Sequence, residues 1–142
     1  MILPDVNVLV LAHRADQDEH EPVRLWLETE VNSDRPFLVA DVSVAGFLRI
    51  VTNHRIYHRP TALDTAFAFV DGLVAQPTCV PIAAGPRHWS ILRGLLRAAD
   101  ARGNFVPDAH LAAIAVEHGA TVATRDRGFS RFAGLQWLDP LG

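Results

Sequence analysis

MILPDVNVLV, residues 1–10, reads as a short apolar strand that runs into a carboxylate at Asp5 and then resumes as an apolar stretch. An aspartate directly after a strand either caps the next element or presents its carboxylate at the edge of a sheet. Two more aspartates stand at comparable places late in the chain, Asp108 in VPDAHLAA at a helix start and Asp126 in ATRDRGF after a strand. Three carboxylates brought together without a cation would repel, since two unit charges about 4 Å apart cost about 4 kcal/mol at an effective dielectric near 20. If they converge, they call for a metal ion.

Working outward, residues 1–5 form a strand, and VNVLVLAHR after it is apolar enough for either a buried helix start or a continued strand. A helix is predicted from about Glu21 to Val31, with Pro22 in its first turn. Phe37 to Ala40 is a brief strand, and Asp41 caps a helix through VSVAGFLRIVTN. In Pro60-Thr61-Ala62-Leu63-Asp64 the threonine has an acid three residues on, so it is read as the cap of the helix AFAFVDGLVA. Thr78 to Ile82 is a strand, Pro86 to about Arg102 a helix ended by Gly103-Asn104, and VPDAHLAAIAVEHG a helix bounded by Pro107 and Gly119. ATVAT and Leu135 to Leu138 are the last strands. Strands alternating with helices predict an α/β fold with a mainly parallel sheet, whose ligands bind beyond the carboxyl ends of the strands. Residues 1–142 are expected to form a single domain, large enough for its own core.

All thirteen basic residues are arginine, so no P-loop lysine, Schiff base or lysine partner of a phosphoaspartate is available. Arginine still offers a planar fork for phosphate. The net charge of −3 excludes a uniformly basic nucleic-acid binder but leaves room for a local patch. The lone Cys79 has no disulfide partner in the chain and reads as a small buried hydrophobe. With no apolar run long enough to span a bilayer and no leader pattern at the start, a soluble protein of the cytoplasm is expected.

Taken singly, each acid has a plain structural role. Asp108 in a first helical turn is stabilised by roughly 0.3–1 kcal/mol without any function, and Asp126 is expected to pair with Arg125 or Arg127. Together they fall where an α/β sheet gathers strand ends and helix starts. Oxygen ligands without cysteine or histidine at zinc spacing favour Mg²⁺, or Mn²⁺, over zinc. Such an ion lowers the pKa of a water and stabilises charge on a phosphoryl oxygen. The histidines are scattered, and none stands with a serine or cysteine in an elbow-like motif, so nucleophilic catalysis is disfavoured. An aspartate-nucleophile phosphatase is disfavoured too, because Asn7 stands where a second acid would be expected.

The starting strand with Asp5 and Asn7, the VPDAHLAA helix with Asp108, and the ATRDRGF turn resemble, in that order, the PIN-domain family, and specifically its VapC-type ribonuclease toxins. The resemblance covers nearly the whole chain. It implies a PIN-like three-layer α/β/α fold, Mg²⁺-dependent cleavage of RNA by an activated water, a cognate antitoxin and a homodimer. Asp5, Asp108 and Asp126 would be the catalytic acids, with Asp5 and Asp108 on the metal. The chain departs from the family pattern where most relatives carry a glutamate, in the segment AGFLR, which here has Gly46, and where a second late acid is replaced by Gly128. One metal is then as expected as two. A catalytically weak PIN domain acting as an RNA- or protein-binding module is the alternative.

Asp41 is either the cap of its helix or a substitute ligand, although it lies about 140° around the helix from position 46. Asn7 holds a metal-bound water, fixes Asp5 by hydrogen bonding or caps the following helix, and Thr124 either does similar work or fills a strand end. In the run from Arg49 to Arg59, the arginines Arg49, Arg55 and Arg59 are candidates for RNA phosphates and Tyr57 for stacking on an unpaired base; a solvated helix end is the other reading.

Overall fold

The computed structural model describes all residues, Met1–Gly142. Five strands, β1 (Ile2–Pro4), β2 (Phe37–Ala40), β3 (Cys79–Ile82), β4 (Thr121–Ala123) and β5 (Trp137–Leu138), form one sheet in the order β3-β2-β1-β4-β5. Every pairing is parallel, with Ile2 opposite both Phe37 and Thr121. Pro4 closes β1, and the ladder passes to Asp5, whose N–H donates to the Ala123 carbonyl at 2.8 Å.

Helices cover both faces. Side chains alternate across a strand, so Ile2, Phe37 and Val39 point to one core with α1 (Val6–His13), α2 (His20–Val31), α3 (Asp41–Val51) and α4 (Leu63–Val74). Leu3, Leu38 and Val122 point to the other, with α5 (His88–Ala99) and α6 (Val106–His118). The result is the expected three-layer α/β/α arrangement. The apolar stretch after Asp5 is a helix, α1, whose Val8, Leu9, Val10 and Ala12 are buried.

Three local expectations are corrected. Thr61 does not cap α4, whose first flanking residue is Ala62; its hydroxyl is held instead by His13 at 3.0 Å and Arg14 at 3.3 Å. Helix α5 stops at Ala99 because Asp100 takes a left-handed conformation, φ 47, and Gly103 opens a separate 3₁₀ turn. Helix α3 begins at Asp41 itself, with Ala40 flanking it, so no loop separates it from β2. Helix α6 ends as predicted, on Gly119 at φ 67.

Candidate functional site

Chain order makes β1 and β4 neighbours although the connections after them leave in different directions, a switch point of the kind at which α/β sheets bind ligands. Asp5 leaves the carboxyl end of β1 and Thr124 that of β4. Asp5 caps α1: one carboxylate oxygen accepts from the Val6 N–H at 2.7 Å. The other accepts from Asn7 Nδ2 at 3.0 Å and from the Thr124 hydroxyl at 2.8 Å. Asn7 in turn accepts the Arg125 N–H at 3.1 Å, and Thr124 Oγ1 the Asp126 N–H at 3.0 Å. Asn7 and Thr124 thus tie the end of β4 to Asp5 and fix its carboxylate.

Asp108 enters from the first turn of α6, and with Asp5 it lines a cleft of about 470 Å³ whose other wall is α3. An adjoining recess is lined by Asp5, Asn7, Asp108 and Asp126. The structure therefore brings the three predicted acids to one depression, without drawing them into a closed cluster of three metal-ready ligands. Asp126 is exposed and accepts the Gly128 N–H at 2.8 Å, at the start of a 3₁₀ turn, Arg127–Arg131. Its expected ion pair is absent. Arg125 turns away to bridge Glu19 and Asp139.

Burial is the largest influence on Asp5 and raises its pKa, the Asp126 charge adding to the rise while the Thr124 and Val6 hydrogen bonds oppose it. Asp108 is pushed up from 3.8 to about 6, by burial first and then by the charges of Asp5 and Asp126, with Arg131 opposing. Both shifts come first from burial, and neighbouring negative charge adds to each. Donors that are all carboxylate oxygens, with potential to be relieved by a cation, fit a hard divalent ion.

The α3 wall explains the departure at position 46. A Cβ on Gly46 would stand 2.7 Å from Val6 Cγ2, so Val6 occupies the room a side chain would need. Asp41 does not replace the missing acid: its carboxylate turns onto the Val42 N–H at 2.7 Å, and it is not among the residues lining the cleft. At Gly128 a Cβ would lie 2.9 Å from Asp126 Oδ1.

Of the basic run, Arg49 lines the acidic cleft. Arg55 and Arg59 are exposed beyond the end of α3 and outside the cleft lining. Tyr57 is not a free stacking platform, because the Arg14 guanidinium lies 3.8 Å over its ring and the side chain packs against the core. Sequence reasoning missed Arg131, which donates to the Gly128 carbonyl at 2.8 Å and stacks 3.5 Å over exposed Phe105. It also missed Ser43, a buried member of the cleft lining. The spacing of Ser43 one turn before Gly46 was the available signal. His88 and His110 face each other at 3.2 Å, and neither serves a nucleophile.

A groove of similar volume between α2 and α4, lined by Leu27, Val31, Phe69 and Leu73, holds no converging carboxylates. Volume does not distinguish the two; chemistry does.

The model of the PIN domain matches residues 2–135. The chain is 48% identical over 141 residues to a VapC ribonuclease, Mb2897, of Mycobacterium bovis, covering 99% of this chain and 96% of that protein. It is 47% identical over 140 residues to ribonuclease VapC25 of Mycobacterium tuberculosis, covering 99% of each. Among solved structures, VapBC2 from Rickettsia felis bound to a promoter DNA fragment superposes with a TM-score of 0.74 at 17% identity, over 98% of each chain. VapC20 of Mycobacterium tuberculosis, a toxin that cleaves the sarcin-ricin loop, gives 0.67 at 14% identity, over 95% of this chain and 96% of that one.

Proposed function

The chain belongs to the PIN-domain family, within its VapC group, and from that premise we propose that it is a metal-dependent endoribonuclease, the toxin of a toxin–antitoxin pair. The observation that carries the reading is the meeting of Asp5 and Asp108 in one cleft, with both carboxyls pushed upward, by burial first and then by neighbouring negative charge. Asp5 and Asp108 hold Mg²⁺ or Mn²⁺, and Asp126, at the rim, completes or orients the site. The ion, when bound, supplies a more acidic water and a positive charge beside the phosphoryl oxygens.

The chain's own residues do the rest. Asn7 and Thr124 hold the Asp5 carboxylate in one orientation through hydrogen bonds of 3.0 and 2.8 Å. Arg49, on the cleft wall, offers its fork to an RNA phosphate. The reaction class is hydrolysis: a water oxygen bonds to phosphorus as that water loses a proton, the opposite P–O bond breaks, and the leaving ribose oxygen takes up a proton. Because carboxylates must lose their protons to bind a cation, affinity for it rises with pH through about 6, the range in which Asp108 ionises.

With position 46 closed by Val6, the α3 wall brings no acid, so the site is read as holding one ion. That same contact favours the second reading, a weakly catalytic domain that binds RNA or protein. The partners proposed are an RNA substrate, an antitoxin that lays a peptide into the acidic groove with an arginine toward the carboxylates, and a second copy of the chain. No helix is long and apolar enough to cross a membrane, and the cytoplasm is the proposed location.

Cleavage of an RNA panel by the parent protein and Asp5→Asn, with and without EDTA, tests the reading. Cutting that disappears in the variant and in EDTA supports it. Cutting at full rate in both rejects it, and no cutting by the parent above the Asp5→Asn background leaves the binding module.

A further inference from the structure

Arg131 is held by the fold without being neutralised. Its Nε–H donates to the Gly128 carbonyl at 2.8 Å, and its guanidinium carbon lies 3.5 Å over the ring of Phe105, itself 44% exposed. That is its only hydrogen bond, so both Nη groups are left without an acceptor. Arg14, Arg24, Arg35, Arg102 and Arg125 each pair with a carboxylate, and Arg131 pairs with none.

Its place ties the free charge to the acids. Phe105 stands directly before α6, whose first turn carries Asp108. A Cβ on Gly128 would stand 2.9 Å from Asp126 Oδ1 and 3.0 Å from Arg131 Nη2, so glycine leaves one small gap with the acid on one side and the guanidinium on the other. Asp108, raised by burial and by Asp5 and Asp126, is lowered in part by the Arg131 charge. In the sheet, β1 with Asp5 lies between β2, which leads into α3 and Arg49, and β4, which leads into the turn that carries Arg131. A polyanion laid across the carboxylates therefore has an arginine on each side. A guanidinium that is already stacked and bonded through Nε loses little freedom when its Nη fork takes a phosphate.

We propose that Arg131 is a substrate-binding residue of the cleft, its Nη fork receiving an RNA phosphate on the β4 side of the acids while Arg49 serves the α3 side. The proposal rests on the ribonuclease reading above for the identity of the strand, and its test separates the two.

Binding of a short labelled single-stranded RNA to the full chain is measured in EDTA by fluorescence anisotropy over a salt series, for the parent, Arg131→Gln, Arg131→Lys and Arg35→Gln. Arg131→Gln should bind roughly tenfold more weakly at low salt, having lost one charge-assisted phosphate contact. Its slope of log affinity against log salt should be shallower by about 0.7. Arg131→Lys keeps the charge without the fork, so it should bind less tightly than the parent at the parent's slope. Arg35→Gln removes the same charge just before β2, at the opposite end of the sheet, and should keep the parent's slope. Cleavage of the same RNA by the parent and Asp5→Asn is followed in Mn²⁺. Parent-like affinity and slope in Arg131→Gln overturn the role of Arg131, and the ribonuclease reading survives if Asp5→Asn has lost cleavage. Full cleavage by Asp5→Asn, with Arg131→Gln weakened and its slope reduced, overturns the ribonuclease reading and keeps the phosphate contact. No RNA binding by the parent, or an equal loss of slope in Arg35→Gln, overturns the proposal. If Arg131→Gln does not fold, Arg131→Lys decides, and parent-like affinity in it overturns the proposal.

Discussion

Asp108→Asn should stabilise the metal-free protein at neutral pH. The native carboxyl titrates near 6 against 3.8 in the unfolded chain. At about 1.4 kcal/mol per pH unit, that gap amounts to about 3 kcal/mol held against the ionised native form. The side chain is only half-buried, so solvent screening reduces the figure to roughly 1–1.5 kcal/mol. Because the native pKa is the raised one, stability from this group is fully present below 3.8 and is lost as pH rises through about 6. Asparagine cannot ionise, so its advantage over the parent should be full above pH 6, shrink as pH falls and vanish below 3.8. Urea unfolding in EDTA across that range, followed by the fluorescence of the three tryptophans, measures the difference. With Mn²⁺ present the order should reverse, because only the parent gains from binding. A variant no more stable than the parent at pH 7, with a gap that does not change with pH, would refute the reasoning.

Two other substitutions probe the frame of the cleft. Gly46→Ala places a methyl 2.7 Å from Val6 Cγ2 and should cost about 1–3 kcal/mol by overpacking. Val6→Ala in the same chain should recover most of it, a coupling that denaturant midpoints of the four proteins would reveal in a double-mutant cycle. Arg125→Ala removes the cation shared by Glu19 and Asp139; Arg125 is the first cause that holds the Glu19 carboxyl below its ordinary value, while for Asp139 burial opposes the lowering and the Leu141 N–H comes ahead of Arg125 in producing it. The variant's melting temperature should fall most at neutral pH, and the gap from the parent should close as pH drops through the carboxylate range and the Arg125 contribution is lost.

The sheet was legible in the sequence because its strands are short apolar runs that end abruptly at Asp5, Asp41 and Arg125, and parallel order follows from the helices between them. The placing of Asp5 and Asp126 was legible for the same reason, since both sit at carboxyl ends of strands, β1 and β4, whereas the tie that Asn7 and Thr124 make between those ends was not. What escaped depends on pairings between distant segments. That Arg14 covers Tyr57, that Thr61 serves His13 and Arg14, and that Val6 closes position 46 are facts of packing between α1 and residues some forty or more positions away. No local pattern announces them. Asp100 ended α5 in a left-handed conformation that glycine would ordinarily supply, so the glycine at 103 drew the boundary too late.

The most direct test is anomalous diffraction from crystals of the full chain soaked in Mn²⁺. A manganese peak in contact with Asp5 and Asp108, lost in the Asp5→Asn crystal, is the predicted result. Manganese absent from that cleft at concentrations that support RNA cleavage would contradict the account.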